Sequence, residues 1–302
     1  MDYTTILMAG GSMLVLAVGA GLMLGWANRA FHVEVDPRTE AILAALPGAN
    51  CGGCGYVGCA PYAEAVVTQG AAPDKCPVGG AACAKAVAAV MGVEVRPSWP
   101  FRPIVHCRAT YRERLGRGDY RGERTCAAAN LIGGVQGCAY GCLGFGDCDG
   151  SCPFDAIHVV DGLAVVDYAK CTGCGNCARV CPRNIITMAP FKKSRMLAVG
   201  CSNLDFGKDV KAVCTIGCIG CKACERASDM FTVVDNLPRI DYDKYSPAQL
   251  RAAEVAISKC PMKGLIYVGK PPTAGADGGD DEAPDFVAVD FKTTVDDTEW
   301  HG

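Results

Sequence analysis

The sequence predicts an α+β protein with one N-terminal transmembrane helix ahead of small cysteine-built modules. Three observations carry that prediction. Tyr3 to Ala27 is 25 residues without a charged side chain, enough helix to cross the hydrocarbon core of a bilayer. Cysteine occurs 21 times in 302 residues, against 4 histidines, and most of it falls in tight C-x-x-C runs. Two segments, Ala156–Asp167 and Phe231–Asp241, alternate apolar residues around an Asp-Gly or Asp-Asn pair, the signature of a β-hairpin.

Only Met1 and Asp2 precede the apolar run, and Asn28-Arg29 comes directly after it. A secretory signal needs a basic leader, so residues 1–30 read as an uncleaved, single-pass anchor in contact with lipid. Arg29 puts the rest of the chain on the cytoplasmic side of the inner membrane by the positive-inside bias, where reducing conditions also favour free thiolates. A short helix then starts at Asp36 as N-cap with Pro37 in first position, and Pro47-Gly48 ends it. It opens a cysteine-rich module over residues 31–95. Pro97, Pro100 and Pro103 mark residues 96–130 as a linker, within which the charged run Arg108–Arg124 reads as a solvated loop. Two further modules are expected at 131–192 and 193–269. The tail at 270–302 holds nine acidic residues against Lys292 past its two prolines, and is expected to be disordered. The rest carries 28 basic and 23 acidic side chains.

The cysteine spacing favours metal ligation over a disulfide scaffold, since the chain is long for a disulfide-stapled mini-protein. The scarcity of histidine counts against zinc. Cys171-x2-Cys174-x2-Cys177-x3-Cys181-Pro182 lets one loop wrap three corners of a [4Fe–4S] cubane, while the fourth cysteine serves a neighbouring cluster. The neighbour lies upstream in Cys138-x3-Cys142-x5-Cys148-x3-Cys152-Pro153. One expected set is therefore Cys138, Cys142, Cys148 and Cys181, and another is Cys152, Cys171, Cys174 and Cys177. This arrangement resembles a bacterial two-cluster ferredoxin, with the first hairpin between its motifs. Cys51, Cys54 and Cys59, spaced by glycines, form a third set with Cys76 of Cys76-Pro77. Taken alone that set also suits zinc; beside the others it reads as iron–sulfur.

The hairpins reveal an internal duplication: Val159-Val160-Asp161 aligns with Val233-Val234-Asp235, and Asp167-Tyr168 with Asp241-Tyr242. The second copy is degenerate. Ser228 stands where a fourth motif cysteine is expected, and Tyr245 stands where the first copy has Cys171. Both losses fall on one cluster of a swapped pair, and the survivors Cys218, Cys221, Cys224 and Cys260 make a complete set for the other. The expectation is thus tandem ferredoxin-like domains, the second with one cluster, and four [4Fe–4S] clusters in all. Five cysteines remain. Cys83 reads as a small buried hydrophobe, Cys126 is left without a role, and Cys107, Cys201 and Cys214 leave room for a fifth cluster, a spare ligand or plain packing. Cys214 precedes Cys218 by the same offset as Cys138 precedes Cys142.

No G-x-G-x-x-G follows a strand, so no dinucleotide or hydride-transfer site is visible, and no catalytic residue is assigned. The order of anchor, CGGCGYVGC module, C-x3-C-x5-C-x3-CP and CTGCGNCARVCP resembles the B subunit of Rnf-type ion-translocating ferredoxin:NAD oxidoreductase complexes, in its longer form. The resemblance implies a translocase subunit that exchanges electrons with soluble ferredoxin. It also implies relay to membrane and peripheral partner subunits, with no nucleic-acid partner. Wiring of another membrane redox complex, or a reductase module for a redox-sensing regulator, are the competing readings.

Overall fold

The computed structural model describes residues 3–31, 36–95, 99–245 and 247–269. The tail expected to be disordered, and Pro97 of the expected linker, lie outside these residues. Helix α1 (Tyr3–Ala30) stands apart, apolar all round and unburied by the rest of the chain. Its stretch Leu7–Ala30 is long and apolar enough to cross a membrane. Helix α2 (Pro37–Ala45) begins at Asp36, whose carboxylate accepts the Arg38 amide at 2.9 Å. It packs with α3 (Cys59–Gln69) and α4 (Gly80–Met91) around Ile42, Tyr62, Val66 and Val87, a core of its own.

Among the described residues the β-structure consists of four two-stranded antiparallel ribbons. In the first domain β1 (Phe101–Val105) pairs with the much later β4 (Ile186–Pro190), Phe101 opposite Pro190. Between them lie α5 (Cys126–Asn130), α6 (Asp147–Gly150), the hairpin β2 (Ile157–Val160) and β3 (Leu163–Val166), and α7 (Asn176–Val180). The second domain repeats the plan. Strand β5 (Arg195–Val199) pairs at the end with β8 (Leu265–Gly269), around α8 (Gly207–Val213), α9 (Ala223–Ala227), the hairpin β6 (Phe231–Val234) and β7 (Leu237–Ile240), and α10 (Pro247–Lys259). Both hairpin turns hold two residues at positive φ, Asp161 and Gly162 in one, Asp235 and Asn236 in the other. Two-residue turns of that hand match the twist of the strands.

The duplication extends to one buried hydrogen bond. The Tyr168 hydroxyl donates to the Pro103 carbonyl of β1 at 2.8 Å, and the Tyr242 hydroxyl donates to the Leu197 carbonyl of β5 at 3.1 Å. Each bond ties the chain after the hairpin to the third residue of the domain's first strand.

The expected linker is part of the first domain, since it supplies β1 and α5. The charged run is solvated only in part: Arg112, Asp119 and residues 121–124 are exposed, but its middle is not. Arg114 is only 6% exposed. Around it the chain forms a short crossing between the domains: the Leu115 amide donates to the Val213 carbonyl and the Thr215 amide to that of Glu113, both at 3.0 Å. Arg108 reaches the carbonyls of Ile216 and Met262. The His106 ring bridges Val199 O and Thr187 Oγ1 at 2.8 and 2.7 Å, and burial holds it below its usual pKa and hence neutral.

Tyr168→Phe and Tyr242→Phe should each cost about 1 kcal/mol, the net worth of one such bond, read as a lower denaturation midpoint under anaerobic conditions. A cost at only one of the two positions would contradict their equivalence.

Candidate iron–sulfur cluster sites

The structure brings together all the cysteines of two of the four expected sets and three cysteines of a third. Cys218, Cys221, Cys224 and Cys260 line one cavity with Val199, Val233 and Leu265 as its apolar walls. Cys221 is the exposed cysteine of the set, and Lys222 lines the cavity beside it. Cys218 and Cys221 sit on the loop entering α9, Cys224 lies in its first turn, and Cys260 comes just after α10. Cys177, at the start of α7, faces Cys171, Cys174 and Cys152, whose charges act on it together with burial to hold its thiol at about 12. In the N-terminal module Cys76 faces Cys54 and Cys59, with Cys51 on the same loop. The Cys59 amide donates to Asn50 Oδ1 at 2.8 Å, which pins the loop as α3 begins.

The remaining set differs from expectation. The cavity that holds Cys142, Cys148 and Cys181 takes Cys126 as its fourth cysteine, and Cys138 lines a separate cavity with Cys107, Cys201 and Cys214. The reason lies in the motif. Cys142-x5-Cys148 is one cysteine short of the C-x2-C-x2-C pattern, because Phe145 occupies the middle position that Cys221 fills in the second repeat. Helix α5 supplies the missing corner from outside the motif. Its first two amides, of Cys126 and Ala127, donate to the Asp147 carboxylate at 2.7 and 2.9 Å, and this anchors it beside Cys148. The absence of a cysteine at 145 was the sequence signal for an extra ligand. Only the fold brings Cys126 to that cavity.

The chemistry of these sites fits a cluster of iron and sulfide. Cys-Pro turns aim backbone N–H groups at sulfur: Ala156 to Cys152 Sγ at 3.4 Å, Gly264 to Cys260 Sγ at 3.2 Å and Gly79 to Cys76 Sγ at 3.4 Å. Such donors stabilise thiolate charge and tune a cluster's potential. Burial alone drives the thiols the other way, above their usual pKa at Cys142 and Cys148, so ionising them needs a bound cation. Cys126, Cys142, Cys148 and Cys181 line one cavity, and Cys218, Cys221, Cys224 and Cys260 line another. The cysteines stand around a space, which suits a cubane rather than one zinc ion.

Ser228 and Tyr245 bear structural duties in the degenerate repeat. Ser228 Oγ donates to Gln249 Oε1 at 2.9 Å and accepts the Met230 amide at 3.3 Å. The Tyr245 hydroxyl accepts the Leu197 amide at 3.2 Å. Met230, Ala253 and Ala256 are fully buried with them, so apolar side chains of α10 fill the place where the first repeat has its second cysteine set. Cys83 is buried against Cys76 in the core of the N-terminal module.

Cysteine sets of this kind on tandem ferredoxin-like repeats define an iron–sulfur electron-transfer protein, here with a membrane-length N-terminal helix. An Fe-S cluster family model matches residues 46–78, and that of the 4Fe-4S binding domain matches residues 164–187. The chain is 44% identical over 272 residues to the B subunit of the Na(+)-translocating ferredoxin:NAD(+) oxidoreductase complex of Acetobacterium woodii, a match covering 88% of this chain and 80% of that protein. It is 41% identical over 254 residues to the B subunit of the ion-translocating oxidoreductase complex of Methanosarcina acetivorans, covering 83% and 94%. A third relative is the B subunit of the proton-translocating ferredoxin:NAD(+) oxidoreductase complex of Clostridium ljungdahlii, 36% identical over 262 residues, covering 85% and 90%. The chain belongs to this family of B subunits of Rnf-type complexes.

Cys126→Ala should remove the cluster of the Cys142 cavity, about four irons, whereas Ser228→Ala should leave iron content unchanged. Iron and acid-labile sulfide analysis of anaerobically purified variants checks both. Full iron in Cys126→Ala, or a loss in Ser228→Ala, would contradict the assignment.

Proposed function

We propose that this subunit takes electrons from soluble ferredoxin at the second ferredoxin-like domain and passes them toward the membrane partners of an ion-translocating oxidoreductase complex. The observation that carries the reading is the Cys218–Cys260 set, whose Cys221 is open to solvent beside Lys222, with exposed Arg226, Lys259 and Lys263 next to its cysteines in sequence. The clusters supply one-electron redox chemistry at low potential. The chain supplies thiolates, amides directed at sulfur, and apolar walls, and it leaves Cys221 the most open of the set cysteines. Cys51, Cys54, Cys59 and Cys76 hold the cluster of the N-terminal module, Cys152, Cys171, Cys174 and Cys177 that of the second motif, and Cys126, Cys142, Cys148 and Cys181 that of the first.

Soluble ferredoxins of the kind implied by the family are acidic, so the basic residues at the exposed set serve as the docking face. Helix α1 holds the subunit in the lipid with its modules on the cytoplasmic side. The N-terminal module, next to α1 in sequence, is the end from which electrons leave for membrane subunits. The ion path belongs to those partners, because α1 carries no charge inside its apolar run.

Electrostatic steering of this kind raises the encounter rate and fades with salt. Oxidation of reduced ferredoxin, monitored by stopped flow, should slow several-fold from low to physiological ionic strength, where the Debye length falls to about 8 Å. The double variant Lys222→Glu, Lys263→Glu should slow it further while leaving iron content intact. A rate indifferent to both salt and the charge reversal would overturn this docking face.

A further inference from the structure

We propose that Cys107, Cys138, Cys201 and Cys214 hold a fifth [4Fe–4S] cluster at the junction of the two ferredoxin-like domains, two thiolates coming from each. The inference rests on reading the cysteine sets as cluster sites and deepens the electron-transfer function above. All four residues are buried and line one cavity. They are two copies of one pair. Cys107 lies two residues past β1 and Cys201 two residues past β5, while Cys138 and Cys214 stand four residues ahead of Cys142 and Cys218. The duplication thus gives each domain half a site, and the pairing of residues 113–115 with 213–215 brings the halves face to face.

The cavity is prepared for a negatively charged occupant. The Cys218 amide donates to Cys201 Sγ at 3.3 Å, and Asn203 Nδ2 lies 3.6 Å from Cys138 Sγ. The amides of Ile216 and Gly217 serve Cys214 in the same way. Arg114 lines the cavity with its side chain buried, and its Nη1 has no hydrogen-bond partner. The other guanidinium nitrogens bond only to the carbonyls of Ala109 and Gly162, and among the described residues no carboxylate pairs with it. A buried cation without a counter-charge is costly by several kcal/mol. Four thiols that give up their protons to an oxidised cubane leave a net charge of about −2 beside it, and that charge is the missing partner.

The site also fills a gap between sets. Cys51 faces Cys174, Cys148 faces Cys177, Cys142 faces Cys107, and Cys201 faces Cys218. The five sets therefore neighbour one another in a single row, from the N-terminal module to the exposed Cys221. The junction set is the link between the domains.

The full chain, purified anaerobically in detergent, should hold about 20 irons with matching sulfide, four for each of five cubanes. Cys201→Ala and Cys214→Ala should each lose about four irons and one set of signals in the EPR spectrum of the reduced protein, with the other signals kept. About 16 irons in the unmodified chain, with or without an added zinc ion, would overturn the fifth site and leave the four-cluster reading standing. Little iron or sulfide at all would sink both. The count on the unmodified chain decides the matter even where a variant fails to fold.

Discussion

Ligation of iron by buried thiolates is the interaction on which this architecture depends. A lone two-stranded ribbon is marginal in water, yet the two ferredoxin-like domains contain no larger sheet among the described residues. Their interior is itself made of cysteine: Cys107, Cys142, Cys148, Cys177 and Cys214 belong to the same buried cluster as Val105, Ile157, Ile185 and Ile186. Without metal these are small side chains around cavities, with thiols that burial keeps protonated, Cys201 at about 11. With it, each set becomes a cross-link among segments far apart in sequence, and the free energy of binding is folding free energy.

The duplicated domains show how that constraint is met in different ways. Where the second repeat keeps Cys221, the first has Phe145 and recruits Cys126 from α5. Where the first repeat keeps Cys152 and the Cys171 motif, the second has lost the whole set and filled its volume with Met230, Tyr245 and α10. The hydrogen bonds of Tyr168 and Tyr242 are common to both and hold the frame in which either solution works. Gly53 has a similar place between modules. A Cβ there would lie 2.9 Å from the Cys174 carbonyl, so the glycine lets the N-terminal module approach the first domain, where Arg179 Nη1 donates to the Gly52 carbonyl at 3.1 Å.

The features legible in the sequence were those that depend on short spacing. The apolar run of α1, the Asp36 cap, both hairpin turns and the three-cysteine loops are local patterns, and the structure has them where they were expected. The correlated loss of cysteine at Ser228 and Tyr245 also pointed to Cys218, Cys221, Cys224 and Cys260, which share a cavity. The features that escaped depend on distant pairing. Strand β1 was hidden in a proline-rich stretch because its partner β4 lies some eighty residues on. Arg114 looked solvent-facing because one of the carbonyls that bury it, that of Gly162, lies 48 residues on in the hairpin turn. Cys138 sat at a plausible motif spacing, and only the return of α5 through Asp147 brings Cys126, rather than Cys138, to the cavity of Cys142, Cys148 and Cys181.

The family, the membrane-length helix and the cysteine sets describe an iron–sulfur electron-transfer subunit of a membrane complex. The claim that thiolate–iron ligation holds it together is tested most directly by hydrogen exchange on the full chain, before and after its iron is removed by an anaerobic chelator. The account predicts that amides of β1, β4, β5 and β8 lose most of their protection on removal, while those of α2 to α4, which share an apolar core around Tyr62, lose less. Unchanged protection of the four strands in the iron-free chain would contradict it.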